Sequence, residues 1–229
     1  MKTTKDNLQV LFEDNHIIIV NKRAGDIVQG DKTGDTPLSE FVKQYIAKKY
    51  TKKGKVFLGV VHRLDRPTSG IVIFARTSKA LERLNKLFRD KQIKKTYWAI
   101  VKQKPELEKA TLIHYLKKNP KNNKSTSFSK ETKDTKKAIL HYEILKELDN
   151  YTVLTINLET GRHHQIRAQL SAIKSPIKGD LKYGFDRSNK GGGISLHARE
   201  IEFTHPVSKE TIRCLADTPS DVLWDHCVK

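Results

Sequence analysis

The nine residues HRLDRPTSG (62–70) set one carboxylate, Asp65, between two guanidinium groups, Arg63 and Arg66, and close on proline, two hydroxyls and glycine. An ionised carboxylate can act as a nucleophile or as a base. In a dry pocket it tends to take up a proton, and a nearby guanidinium opposes this by favouring the charged form. By itself, an aspartate in an Arg-flanked turn reads as a turn former or a surface ion pair, worth about 0–1 kcal/mol. The stretch becomes a candidate site only with partners from elsewhere in the chain. Any arginine offers a planar fork able to fix a carboxylate by paired hydrogen bonds, Arg167 in TGRHHQIR among them. Its attraction is about 4 kcal/mol at 4 Å with an effective dielectric near 20, enough to outweigh moderate desolvation. Tyr97, in KKTYWAIV, alternates with Trp98 on an expected strand, so the two rings face opposite sides.

Other residues that could carry chemistry are weaker. His163 and His164 adjoin on an expected helix and point in different directions, with no Cys or Asp cluster at ligand spacing, so no metal is expected. Asp180, after Gly179, reads as a turn former. Cys214 and Cys227 lack metal-ligand or redox spacing and read as reduced thiols.

The elements that must position these groups are mostly strands. Apolar, β-branched runs recur at 17–20, 56–61, 71–75, 97–101, 138–145, 151–158, 201–203 and 211–215. Many follow one another with no helix between, which predicts a mainly antiparallel or mixed sheet. Asp65 then sits in a loop between two strands, with Pro67 fixing one torsion and Gly70 allowing a sharp re-entry. Three amphipathic helices are predicted: residues 35–49 with Thr36 as N-cap and Pro37 first in the helix, residues 78–92, and residues 162–173 starting near Gly161 with Ile166, Leu170 and Ile173 inward. Residues 117–137 hold almost no apolar side chains and many lysines, and are expected to form a basic surface loop.

Length and charge bound the class. The 229 residues suffice for one substantial core, so a single domain over 1–229 is expected. Lys and Arg total 44 against 26 acids, a formal charge of +18, which points to a polyanionic partner, RNA or DNA first. The apolar runs are far shorter than the roughly 20 residues of a spanning helix, and no basic amphipathic terminal helix favours a membrane surface. The start, MKTTKDNLQV, has no apolar signal core, so a cytoplasmic protein is expected.

HRLDRPTSG is similar to the catalytic motif of RluA-type pseudouridine synthases. FEDNHIIIVNKRAG (12–25) resembles the family's opening motif, KKTYWAIV (94–101) its tyrosine strand, LETGRHHQIRAQL (158–170) its arginine motif, continued by PIKGDLKYG (176–184), and LHAREIEFTHP (196–206) its closing strand. The resemblance implies an α+β fold with a bent, mainly antiparallel mixed central sheet, flanking helices and a central RNA-binding cleft. It implies isomerisation of uridine in ribosomal or transfer RNA: the C1′–N1 bond breaks, the uracil turns and C5 bonds to C1′, without cofactor or metal. Its catalytic aspartate falls on Asp65, its aspartate-binding arginine on Arg167 and its active-site tyrosine, stacking on uracil, on Tyr97. Attack on the sugar, attack on the base and removal of a sugar proton all remain open to Asp65. Extruding a uridine costs a few kcal/mol, and a side chain in the vacated stack offsets that; Arg63 is the candidate wedge, beside His62. Lys22, Arg23 and Lys182 are expected to meet phosphates or brace the cleft, and Arg162 to contact RNA. Arg23 stands where the opening motif commonly has proline, Pro67 where another residue is frequent, and His163 where threonine is common. The opening motif begins near Leu11, leaving no room before it for the small ribosomal-protein-like RNA-binding domain of many relatives. A monomer with no obligate protein partner is expected. The rival reading is a non-catalytic RNA-binding or assembly factor.

Overall fold

The computed structural model describes residues 3–228. In chain order the elements are β1 (Val10–Glu13), β2 (Ile17–Lys22), α1 (Leu38–Lys49), β3 (Gly59–Val60), β4 (Ser69–Ala75), α2 (Ser78–Arg89), β5 (Lys94–Val101), β6 (Lys109–Asn119), β7 (Lys124–Phe128), β8 (Lys136–Glu147), β9 (Thr152–Leu158), α3 (Gln165–Ala172), a 3-10 turn (Leu181–Tyr183), β10 (Leu196–Thr204), β11 (Thr211–Leu215) and α4 (Val222–Val228). This is an α+β fold whose strands pair mainly antiparallel. Two compact units divide it: one runs to Lys94 and takes in Ala198–Ser220, the other holds Lys95–His197 and the segment from Asp221.

In the first unit the strands lie in the order β1–β2–β4–β10, with β3 on β4 and β11 on β10. The run Ile17–Val20 is buried on both faces, as are all seven residues of β4, which explains why these strands read as continuous apolar runs. Their core joins Ile17, Ile19, Ile71 and Ile73 to Leu84 of α2 and to Ile201 and Phe203 of β10. Helix α2 starts where Thr77 Oγ1 accepts from the Ala80 N–H at 3.1 Å. Helix α1 begins one residue later than expected. Pro37, extended at ψ 155°, is the N-cap, and the N–H groups of Leu38 and Ser39 go to the carbonyls of Ile27 and Val28 instead of to Thr36. The strand expected over 56–61 shrinks to Gly59–Val60.

In the second unit the order is β5–β9–β8–β6–β7. Tyr97 of β5 faces Ile156 of β9 across an antiparallel pair, and Trp98 packs on the other side with Ile100, Val153 and Trp224. Within the expected loop over 117–137, residues 117–119, 124–128 and 136–137 are paired strand and the rest is turn and connection. Residues 115–119 of β6 pair with 124–128 of β7 through a tight connection, and β8 resumes at Lys136. Its sequence hid this because β7 is at the end of the strand order, where a polar strand can face water; only Ser125 within it is buried. Helix α3 is buried almost all round, Gln165 through Leu170, and starts at Gln165, four residues beyond Gly161.

Candidate active site

Asp65 lies half-buried in the 61–68 connection between β3 and β4. The chain turns there tightly, with the Thr68 N–H donating to the Asp65 carbonyl at 3.0 Å. Gly70, at φ +112°, then enters β4 so close to β10 that a Cβ would stand 2.3 Å from the Ala198 carbonyl oxygen. The next carbonyl, that of Arg66, accepts from the Gly25 N–H at 2.8 Å and from Lys22 Nζ at 3.1 Å. The Asp65 backbone is thereby fixed from two directions by the opening motif.

Lys22 was expected to contact RNA or brace the cleft, and it braces. It is 1 % exposed, and its ammonium also donates to the carbonyls of Arg23 (3.0 Å) and Asp26 (2.8 Å). These acceptors satisfy a three-donor group, so a phosphate has no approach to it without breaking them. Burial pulls its pKa down to about 7, against the charges of Asp26 and Asp65. Arg23, standing where proline is common, adds its own brace: Nη1 donates to Asn7 Oδ1 at 2.8 Å and Nη2 to the Asn7 carbonyl at 3.0 Å. The rigidity that proline would supply here comes from side chains.

The arginines flanking Asp65 have partners of their own. Arg66 Nη2 pairs with Asp35 at 2.5 Å, and the exposed Arg63 reaches Gln29 Oε1 at 3.3 Å. His62 Nε2 accepts the Ile73 N–H at 3.0 Å, and its ring stacks on Phe88. That nitrogen is therefore committed to the scaffold.

In the second unit, the start of α3 is built by Gln165. Its Oε1 accepts from Thr160 Oγ1 (2.8 Å) and the Arg162 N–H (2.9 Å), while its Nε2 donates to the Ile139 carbonyl (3.0 Å). His164 precedes it in left-handed conformation, φ 53°. The helix has not yet begun there, so the rings of His163 and His164 stack at 3.8 Å, contrary to the divergence expected on a helix. In the first turn of α3, Arg167 is buried. Its Nε donates to Asp180 Oδ2 at 2.7 Å and its Nη2 to Asp180 Oδ1 at 2.8 Å. The guanidinium carbon lies 5.0 Å from the centre of the Tyr183 ring. Asp180, read from the sequence only as a turn former, is thus an ion-pair partner as well.

Tyr183 extends the network. Its hydroxyl accepts the Ser125 N–H at 2.8 Å and lies 3.0 Å from His164 Nδ1. Burial and the neighbouring positive charge of Arg167 hold the His164 pKa well below the usual imidazole range, so the ring shares this hydrogen bond with the tyrosine as a neutral imidazole. Arg162 Nε donates to the Lys137 carbonyl at 3.0 Å, and Lys182 Nζ reaches the carbonyls of Asn122 and Asn123 at 3.2 and 3.3 Å. Both lie on the exposed surface. Of the sequence-derived residues, then, Lys22, His62, Arg63 and Asp65 belong to the first unit, and Tyr97, Arg162, Arg167 and Lys182 to the second. Among the described residues no group of three or more His, Cys, Asp or Glu is arranged to hold a metal ion, and no helix is long and apolar enough to cross a membrane.

The family description RNA pseudouridylate synthase matches residues 16–172, a span that holds the Asp65 turn, Tyr97 and Arg167. The chain belongs to that family. It is 31 % identical over 229 residues to ribosomal large subunit pseudouridine synthase D of Xylella fastidiosa, covering 94 % of this chain and 67 % of the relative. It is equally 31 % identical to tRNA pseudouridine synthase C of Yersinia pestis, covering 91 % of this chain and 86 % of that one. With several of its relatives it spans about two thirds of their length. The fold is that of human RNA pseudouridylate synthase domain containing 4, with a TM-score of 0.78 at 20 % identity over 96 % of this chain and 91 % of that one.

Proposed function

We propose that this RNA pseudouridylate synthase family member isomerises specific uridines of ribosomal or transfer RNA to pseudouridine in the cytoplasm, with Asp65 as its catalytic carboxylate and no cofactor. The reaction moves no atom in or out of the substrate overall: the C1′–N1 bond breaks, a C1′–C5 bond forms, C5 gives up its proton and N1 gains one. It therefore needs a carboxylate near the sugar and base, and a group that handles the C5 proton, which Asp65 and Tyr97 supply in this reading. In the same reading Arg167 is the carboxylate's guanidinium partner, holding it by paired hydrogen bonds. Arg63, Arg162 and Lys182, all on exposed surface, meet RNA, and Arg63 enters the stack that the target uridine leaves.

The observation that carries the reading is the construction around Asp65. Its turn is closed on itself, tied to the buried Lys22 through Arg66, and seated on a glycine junction that admits no side chain. A surface ion-pair turn has no need of such a frame. The names of the relatives, one acting on the large ribosomal subunit and one on tRNA, support both RNA classes as targets.

The test is tritium release from RNA labelled at uracil C5, comparing the wild type with Asp65→Ala. The wild type releases tritium and the variant falls to background while still binding RNA. Equal background release from both on total cellular RNA sinks the enzyme and leaves the RNA-binding factor. Mapping pseudouridine across total RNA with and without the gene identifies the target.

A further inference from the structure

We propose that Asp180, helped by the Tyr183 ring on the guanidinium face, is a positioning residue that fixes the plane of the Arg167 guanidinium for catalysis. The proposal rests on the reading of Arg167 as the partner of the catalytic carboxylate. A guanidinium has five N–H donors. Asp180 takes the Nε donor and one on Nη2 through two bonds of 2.7 and 2.8 Å. Two parallel bonds to one carboxylate leave the guanidinium no freedom to rotate in its plane, and they aim its opposite edge in one direction. The Tyr183 ring, 5.0 Å from the guanidinium carbon, covers its face and limits tilting out of that plane.

The holders are themselves held. The Asp180 N–H bonds the Ile177 carbonyl at 3.0 Å, and the Asp180 carbonyl accepts from the N–H groups of Tyr183 and Phe185 at 3.0 and 3.1 Å. Ser171 Oγ, on α3 one turn beyond Arg167, donates to the Tyr183 carbonyl at 2.7 Å. The Tyr183 hydroxyl is pinned between Ser125 and His164. Arg167 and Asp180 are 5 % and 1 % exposed. Burying an ion pair gives little net stability compared with apolar residues of the same volume, so stability alone is a poor reason for this pair. Orientation is a better one, since misplacing a catalytic group by about 1 Å can cost about 100-fold in rate.

The experiment is a double-mutant cycle on the full chain, using Asp180→Asn and Arg167→Lys singly and together. Single-turnover tritium release gives the rate and filter binding gives RNA affinity. Asp180→Asn keeps the shape and removes the charge. It is expected to slow the step about 10- to 100-fold with RNA affinity within about twofold of the wild type. In the Arg167→Lys background the same substitution is expected to cost no further rate, because its effect passes through the guanidinium. A wild-type rate for Asp180→Asn, or a loss that multiplies in full onto the Arg167→Lys loss, overturns the proposal; a misfolded fraction would multiply in that way. If Asp180→Asn does not fold, Tyr183→Leu replaces it in the same cycle, with about tenfold loss expected alone and none in the Arg167→Lys background. An Arg167→Lys protein with wild-type rate overturns the reading of Arg167 itself. A crippled Arg167→Lys beside an unaffected Asp180→Asn overturns the positioning alone.

Discussion

Lys22 Nζ donates to the carbonyl of Arg66, 44 residues further along the chain and adjacent to Asp65, at 3.1 Å. The opening motif and the aspartate motif are therefore one structural object. Lys22 gathers three carbonyls, of which that of Arg66 also accepts from the Gly25 N–H and that of Arg23 from the Asp26 N–H.

Replacing Lys22 by Met should destabilise the protein by roughly 1–3 kcal/mol near neutral pH, since three acceptors lose one common donor, two of them, Arg66 and Arg23, keep a backbone N–H, and an unmet buried group costs about 1–3 kcal/mol, part of which is returned by removing a buried charge. Urea unfolding of the two proteins measures this. A midpoint equal to that of the wild type would show that the three carbonyls find other donors.

The same lysine gives a pH dependence with a definite sign. Its pKa is about 7 in the fold against an ordinary 10.5. Between those values the unfolded chain holds a proton that the folded chain has released, so stability rises with pH across that window. The gain is at most about 5 kcal/mol, at 1.36 kcal/mol per unit. The wild type should pull ahead of Lys22→Met as pH increases from 7 toward 10.5. Stability curves that run parallel over that range would show that Lys22 stays protonated in the fold.

Two glycines at positive φ separate conformational strain from collision. Gly25, at φ +97°, has nothing within 4 Å of the place a Cβ would take, while Gly70, at +112°, has the Ala198 carbonyl oxygen at 2.3 Å and its nitrogen at 2.5 Å. Gly25→Ala should cost about 1 kcal/mol, from backbone strain alone. Gly70→Ala should cost more than about 4 kcal/mol, because backbone on both β4 and β10 must move, and it should abolish activity by displacing the Asp65 turn. Similar unfolding midpoints for the two variants would contradict the close approach at Gly70.

Part of this was legible in the sequence and part was not, for physical reasons. The run Ile17–Val20 announces a buried strand because both of its faces are covered, and Thr211–Leu215 is the span expected to the residue. Helix α3 is visible through Ile166 and Leu170, but periodicity treats the polar positions between them as solvated. Here Gln169 is fully buried, with Nε2 donating to the Leu112 carbonyl at 3.0 Å, and Arg167 is buried against Asp180. Such pairs are set by tertiary geometry, and nothing in the stretch between Arg167 and Asp180, 13 positions apart, encodes it. Lys22 was open in the same way: a lysine beside an arginine in a basic chain reads as a phosphate contact or as a brace, and only the surrounding carbonyls show how its ammonium is engaged. Asp65 was legible as a candidate because its motif is long, and the strand β7 was not, because a polar edge strand carries no alternating apolar signal.

That edge strand bears on RNA affinity. The β6–β7 pair and the connection to β8 carry exposed lysines at 118, 121, 130 and 133, with Lys117 already near Asp134 at 3.3 Å. Lys118 is held in the paired strand and Lys121, Lys130 and Lys133 in the short connections at its ends, so less chain has to be ordered for them to meet phosphates together than in a loop over the whole segment. Each phosphate contact contributes about 0.7–0.9 to the slope of log affinity against log salt. Changing Lys118, Lys121, Lys130 and Lys133 to Gln should lower that slope by up to about 3, weaken binding of all RNA sequences alike and leave the rate on bound RNA unchanged. Titrations at several salt concentrations test this. A slope unaltered by the four substitutions would mean that these lysines remain solvated in the complex and that the polar strand serves the network of Ser125, His163 and Tyr183 alone.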